Sequence, residues 1–107
     1  MAELAERARG NRLKLEEIQG GTFTLNNTGA LGTVLTQPII NQPQAAILAT
    51  DAIIKRPVVI AGDAIAVRSM MNLCLSFDHR IVDGLQAARF VRAIKDKLES
   101  IDEQASV

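Results

Sequence analysis

One cysteine, one histidine, no tryptophan and no tyrosine stand in this chain, and three phenylalanines are its only aromatics. A lone thiol makes no intrachain disulfide, which fits a reducing compartment, and Cys74, set in an apolar run, reads as a small buried residue. No cation but Arg80 or a protonated His79 stands near it in sequence to lower its pKa, so a nucleophilic role is not expected. No His or Cys cluster has metal-ligand spacing, and no metal is expected. An excess of either charge is also missing: twelve Lys and Arg offset twelve Asp and Glu. With no basic stripe interleaved with aromatics, nucleic acid is not an expected partner. The apolar runs break off well short of a spanning length, and Met1-Ala2-Glu3-Leu4 has no signal-peptide character. A membrane is therefore not expected, and the expected location is the cytoplasm, or the mitochondrial matrix in a eukaryote.

What is present is a chain of 107 residues, 48% hydrophobic and 22% charged, enough for one globular domain or part of one. With so few aromatics, its core must be built mainly from Ile, Leu, Val and Ala. Residues 2–9 have high helix propensity and Gly10 as terminator. This opening in mid-helix is expected of a fragment. Residues 15–18 suggest one more helical turn. Gly20-Gly21 then releases the backbone into a short strand, Thr22-Phe23-Thr24-Leu25, and Asn26-Asn27-Thr28-Gly29 has turn chemistry. Residues 30–44, holding Pro38 and Pro43, form a long connection of the kind that carries a binding surface.

Residues 45–50 are apolar throughout and suit a strand buried on both faces. Val58-Val59-Ile60 and Ala64-Ile65-Ala66-Val67 flank Ala61-Gly62-Asp63, a predicted β-hairpin. The run continues through Met70 and Met71 into a strand in which Leu73, Leu75 and Phe77 share one face and Cys74 and Ser76 the other. After Gly84, apolar residues at 87, 88, 91, 94, 98 and 101 recur at helical spacing. This stripe is expected to pack across one face of the sheet.

The junction between that last strand and helix, Ser76-Phe77-Asp78-His79-Arg80-Ile81-Val82-Asp83-Gly84, holds the single imidazole. With a reference pKa of about 6.5, histidine can take and return a proton near neutral pH. On the residues alone, a hydrogen-bonded structural histidine and a catalytic one both remain open. Asp83 has three readings: N-cap of the helix, ion-pair partner of an arginine such as Arg80, or a group orienting His79 one helical turn away.

The string Asp78-His79-Arg80-Ile81-Val82-Asp83-Gly84 resembles the His-x-x-x-Asp-Gly signature of the dihydrolipoamide acyltransferases, core subunits of 2-oxo acid dehydrogenase complexes, within the wider superfamily that includes chloramphenicol acetyltransferase. Gly20-Gly21-Thr22-Phe23-Thr24-Leu25, Thr28-Gly29, Pro38-Ile39-Ile40-Asn41, Ala46-Ile47-Leu48 and Lys55-Arg56-Pro57 are similar to that family in order and approximate spacing. The resemblance runs from about Leu4 to Leu98 and covers the C-terminal half of the family's catalytic domain. It implies that residues 1–107 are the C-terminal portion of that domain, without a lipoyl or peripheral-subunit-binding domain.

The fold implied is α/β, an α+β two-layer sandwich with a mixed sheet and helices on one face. The activity implied is acyl transfer between dihydrolipoamide and coenzyme A, both as substrates, with the lipoyl group carried on another domain and no metal. His79 is then the general base. The oxyanion donor, a Ser or Thr hydroxyl in relatives, falls on Asn26 here, a departure that an amide N–H could still serve; Thr28, nearby, keeps a hydroxyl. Arg56 is a candidate contact for coenzyme A, against a plainer reading as a solvated turn. The family's site forms between protomers of a trimer, so the expected partners are two further copies, higher cubic or icosahedral assembly, and the lipoyl, decarboxylase and dehydrogenase components. Pro38-Ile39-Ile40-Asn41 followed by Gln42-Pro43-Gln44 favours a succinyl or acetyl group. The same residues alone are expected to be weakly active or inactive. A non-catalytic assembly core is the alternative, and a drug acetylase a third, disfavoured because Asp78 rather than a second histidine precedes His79.

Overall fold

The computed structural model of the protein describes residues 1–101. Its centre is β2 (Ala46–Thr50), flanked on one side by β1 (Thr24–Asn27) in parallel and on the other by β5 (Leu73–Phe77) antiparallel. The sheet is thus mixed, as expected. The apolar composition of β2 explains its place: Ile47, Leu48 and Ala49 are buried, and a strand without polar alternation is stable only where both of its faces are covered. Fully burying a Leu or Ile side chain contributes roughly 1.5–3 kcal/mol.

The helix α3 (Gly84–Glu99) packs on β5. Pairing places Leu48 beside Leu75 and Ala46 beside Phe77 on one sheet face, with Ala49 and Cys74 on the opposite one. Leu75 and Phe77 meet Ala87, Ala88 and Val91 of α3, which is the predicted stripe. Its far members Leu98 and Ile101 stay exposed. The other face is tied to the long connection. Ala52 N–H donates to the Thr33 carbonyl at 2.8 Å, and the Asn72 amide donates to the Val34 carbonyl at 2.7 Å.

Two expectations shift. The first strand starts two residues later, so Asn26 and Asn27 belong to β1 and the turn begins at Thr28; ladder bonds to β2 outweigh the turn preference of Asn. The predicted hairpin is present but longer: β3 (Ile54–Val59) pairs with β4 (Ile65–Met70) around Gly62 and Asp63, both at positive φ. It is a separate two-stranded sheet, because the chain leaves the ladder at Met71-Asn72 before β5 begins. Lys55, Arg56 and Pro57 accordingly lie in a strand, not a turn.

The helices α1 (Ala2–Arg9) and α2 (Leu15–Ile18) form as expected, joined by Arg7 and Glu17 at 2.8 Å. The chain of 11.6 kDa exposes 8826 Å², where a compact monomer of that mass exposes roughly 5,800 Å². Leu85, Phe90, Val59, Ile65 and Val67 are among its exposed apolar side chains. A two-stranded ribbon with apolar residues in water on its own is marginal at best.

Candidate active site

The turn from β5 to α3 is organised by Asp78. Its N–H donates to the Ala45 carbonyl at 2.8 Å, fixing the turn to the start of β2, and its carbonyl accepts the N–H groups of Ile81 and Val82, each at 3.0 Å. Its carboxylate accepts from Arg80 three times: backbone N–H at 3.0 Å, Nε at 2.9 Å and a terminal nitrogen at 2.8 Å. The Arg80 guanidinium holds the Asp78 carboxyl down at about 2, as a fork-shaped charge-assisted contact should. His79, between the two, stands on the exposed side of the turn with its ring 5.4 Å from that of Phe77.

Of the three readings of Asp83, the geometry selects the cap: its Oδ1 accepts the Gln86 N–H at 2.8 Å at the start of α3. Arg80, the other partner considered, is taken by Asp78. Asp83→Ala is therefore expected to lower stability by about 1 kcal/mol, while Asp83→Asn, which keeps a capping oxygen, stays near wild type. Thermal melts of the two variants check this; equal melting of Ala and Asn variants would remove the cap assignment.

The other candidates lie elsewhere. The ladder puts Phe77 opposite Ala46, and Asn26 opposite Ala49, which faces Cys74. Asn26 is thus three rungs along the sheet from Phe77, roughly 10 Å, and two strands across, roughly another 10 Å. Within one chain the imidazole and the asparagine amide do not meet. Asn26 is exposed near the end of β1. Thr28 is engaged internally: its hydroxyl donates to Asp51 at 2.7 Å and lies 3.1 Å from the Thr36 hydroxyl. Its side chain is a structural donor in this arrangement. Arg56 stands in β3 directly opposite Arg68, a like-charge pair that disfavours the ribbon unless an anion covers it.

Sequence reasoning missed Asp51. It is 2% exposed and gathers Thr28, Thr36 and Cys74, the thiol donating to its second oxygen at 3.3 Å. The Thr36 hydroxyl, then that of Thr28, pulls its carboxyl below the ordinary 3.8. Burial, reinforced by the Asp51 carboxylate, pushes the Cys74 thiol up, which agrees with an inert sulfur. The turn is close-fitting here, since a Cβ on Gly29 would lie 2.9 Å from the Asp51 carbonyl oxygen. A lone acid between two apolar runs was the available signal. Among the described residues no three His, Cys, Asp or Glu side chains group as a metal site requires.

A mixed sheet covered by a helix, with a histidine on the strand-to-helix turn, is a two-layer α/β arrangement. The chain belongs to the family "2-oxoacid dehydrogenases acyltransferase (catalytic domain)", whose description matches residues 1–105. It is 56% identical over 104 residues to the lipoamide acyltransferase component of the branched-chain alpha-keto acid dehydrogenase complex of Bacillus subtilis, covering 97% of this chain and 24% of that protein. To the mitochondrial succinyltransferase component of the 2-oxoglutarate dehydrogenase complex of Bos taurus it is 50% identical over 99 residues, 92% of this chain and 22% of the relative. A crystal structure of a probable dihydrolipoamide acetyltransferase from Listeria monocytogenes superposes with a TM-score of 0.91 at 53% identity, covering 99% of this chain and 45% of that one. The chain thus spans about a quarter of the length of these curated relatives.

Proposed function

We propose that the chain is the C-terminal portion of an acyltransferase catalytic domain that moves an acyl group between dihydrolipoamide and coenzyme A. The observation that carries this is the one histidine of the chain, presented outward on a turn that Asp78, Arg80 and the Asp83 cap hold at both ends. The neutral imidazole of His79 takes the proton of the incoming thiol, and the thiolate attacks the thioester carbonyl carbon. The oxyanion that forms is held by the Asn26 amide of a neighbouring copy. Its collapse expels the second thiolate, which recovers the proton from the imidazolium, so no proton or electron is lost. Base catalysis of this kind is effective where the assembled site excludes water.

The placement of His79 and Asn26 at opposite ends of the sheet supports a site shared between protomers, and the exposed apolar area supports assembly. A homotrimer, with further association into a cubic or icosahedral core that meets a lipoyl domain and the decarboxylase and dehydrogenase components, is the arrangement we propose, in the cytoplasm or mitochondrial matrix. Thr28 contributes by holding the turn after Asn26, and Arg56 with Arg68 offers charge for the phosphates of coenzyme A. The loop at residues 38–44 favours a succinyl or acetyl group. An assembly core without chemistry is the second reading, favoured by that same exposed area.

Thiol exchange between acetyl- or succinyl-coenzyme A and free dihydrolipoamide tests the activity. The 107 residues alone are expected to be weakly active or inactive, and turnover matching that of an intact core would overturn this expectation. Complete absence of exchange in an intact core that contains this chain would leave only the second reading.

A further inference from the structure

The three phenylalanines of the chain converge on one place. Phe23 and Phe90 meet edge to face with ring centroids 5.8 Å apart, and with Phe77 they line an apolar cavity of about 340 Å³ between the sheet and α3. Of the three, Phe77 is the one whose ring pairs with the His79 imidazole, at 5.4 Å and tilted by 43°. It is also the last residue of β5, paired with Ala46. Its backbone is therefore fixed by the ladder and its ring by the cavity wall. The imidazole, on an exposed turn, has no such enclosure of its own.

We propose that Phe77 is a positioning residue for His79: its ring, seated on the cavity wall, is the surface against which the imidazole settles into one orientation. An exposed histidine otherwise samples several χ1 wells and a broad χ2, and a flat aromatic neighbour favours offset or tilted contacts over the rest. The kinetic consequence rests on the acyl-transfer reading; the orientation does not. The partner of the ring is not substrate but the base itself, so its loss lowers the fraction of imidazoles aimed at the thiol without altering how the thiol is bound.

The single histidine makes the test direct, because its Cε1–H is a unique resonance in the full chain. In the wild type, cross-relaxation between the Phe77 ring protons and the imidazole is expected, together with a ring-current displacement of that resonance. Phe77→Leu should return the resonance toward that of a free histidine, and Phe77→Tyr, which keeps the ring, should not. In turnover, Phe77→Leu should lower kcat about tenfold with KM unchanged within about twofold, and Phe77→Tyr should restore it, since misplacement of a catalytic group acts on the chemical step. Absence of the wild-type cross-relaxation overturns the proposal without any variant, even if Phe77→Leu fails to fold. An unmoved resonance or an unchanged kcat in a folded Phe77→Leu chain overturns it as well. An intact wild-type core with no turnover would sink acyl transfer instead, and the resonance would still decide whether Phe77 orients the ring.

Discussion

His79→Ala is expected to lower turnover by about 10²- to 10⁴-fold, the ordinary worth of a positioned general base, and to leave the fold in place. The second half of that expectation follows from how the turn is built. Its hydrogen bonds run through Asp78, Arg80, Ile81, Val82 and Asp83, and the imidazole is exposed, so truncation opens no cavity and orphans no buried donor. Surface changes of that kind shift stability by no more than about 0.5 kcal/mol. The measurement pairs the thiol-exchange rate with the melting temperature and the mass of the assembly. A variant that keeps its rate would remove His79 as the base; one that loses rate and mass together would show that the turn serves association. Only a loss of rate at constant mass and melting temperature supports acid–base chemistry.

Much of the frame was legible because it rests on periodicity. The uninterrupted apolar run of β2 marked the central strand, the alternation of Leu73, Leu75 and Phe77 marked the face toward α3, and the 3.6-residue spacing after Gly84 marked the helix. What was not legible depends on partners distant in sequence. The Asn26-Asn27 pair reads locally as a turn, yet parallel pairing with Ala49 and Thr50 draws both residues into β1. The run from Ile65 to Phe77 alternates on both sides of Met71-Asn72, so nothing local marks where one sheet ends and the other begins. The His79 motif was legible as a string, but the roles inside it were not. Asp83 could cap, pair or orient, and the choice waited on the position of Gln86 N–H and on Asp78 claiming Arg80. The Asp51 cluster was hidden most completely, since its three side-chain partners come from residues 15 to 23 positions away.

Asp51→Ala is expected to lower Tm by roughly 5–10 °C at pH 7 for a domain of this size, more than Asp51→Asn, which is expected to cost about 2–3 °C. The alanine variant deprives two threonine hydroxyls and a thiol of their acceptor in a nearly dry spot, and leaving buried polar groups unmade is the expensive side of hydrogen bonding. Asparagine keeps an oxygen for Thr28 and Thr36 and gives up the charge and the oxygen that accepts the Cys74 thiol. The pH dependence separates the two contributions. Because the folded chain holds this carboxyl below the ordinary 3.8, the unfolded chain takes up the proton first as pH falls. The stabilisation is therefore complete above about pH 4 and is lost as pH drops through the lower folded value. Asp78, held at about 2 by Arg80, adds a similar acid-sensitive contribution to wild type and variants alike, so it cancels in the difference. The gap in Tm between wild type and Asp51→Ala should be widest near neutrality and narrow below pH 4. A constant gap across that range would mean that Asp51 acts through shape and neutral hydrogen bonds alone, and no gap at pH 7 would mean that Thr28 and Thr36 are held at the end of the sheet by the backbone, without need of the carboxylate.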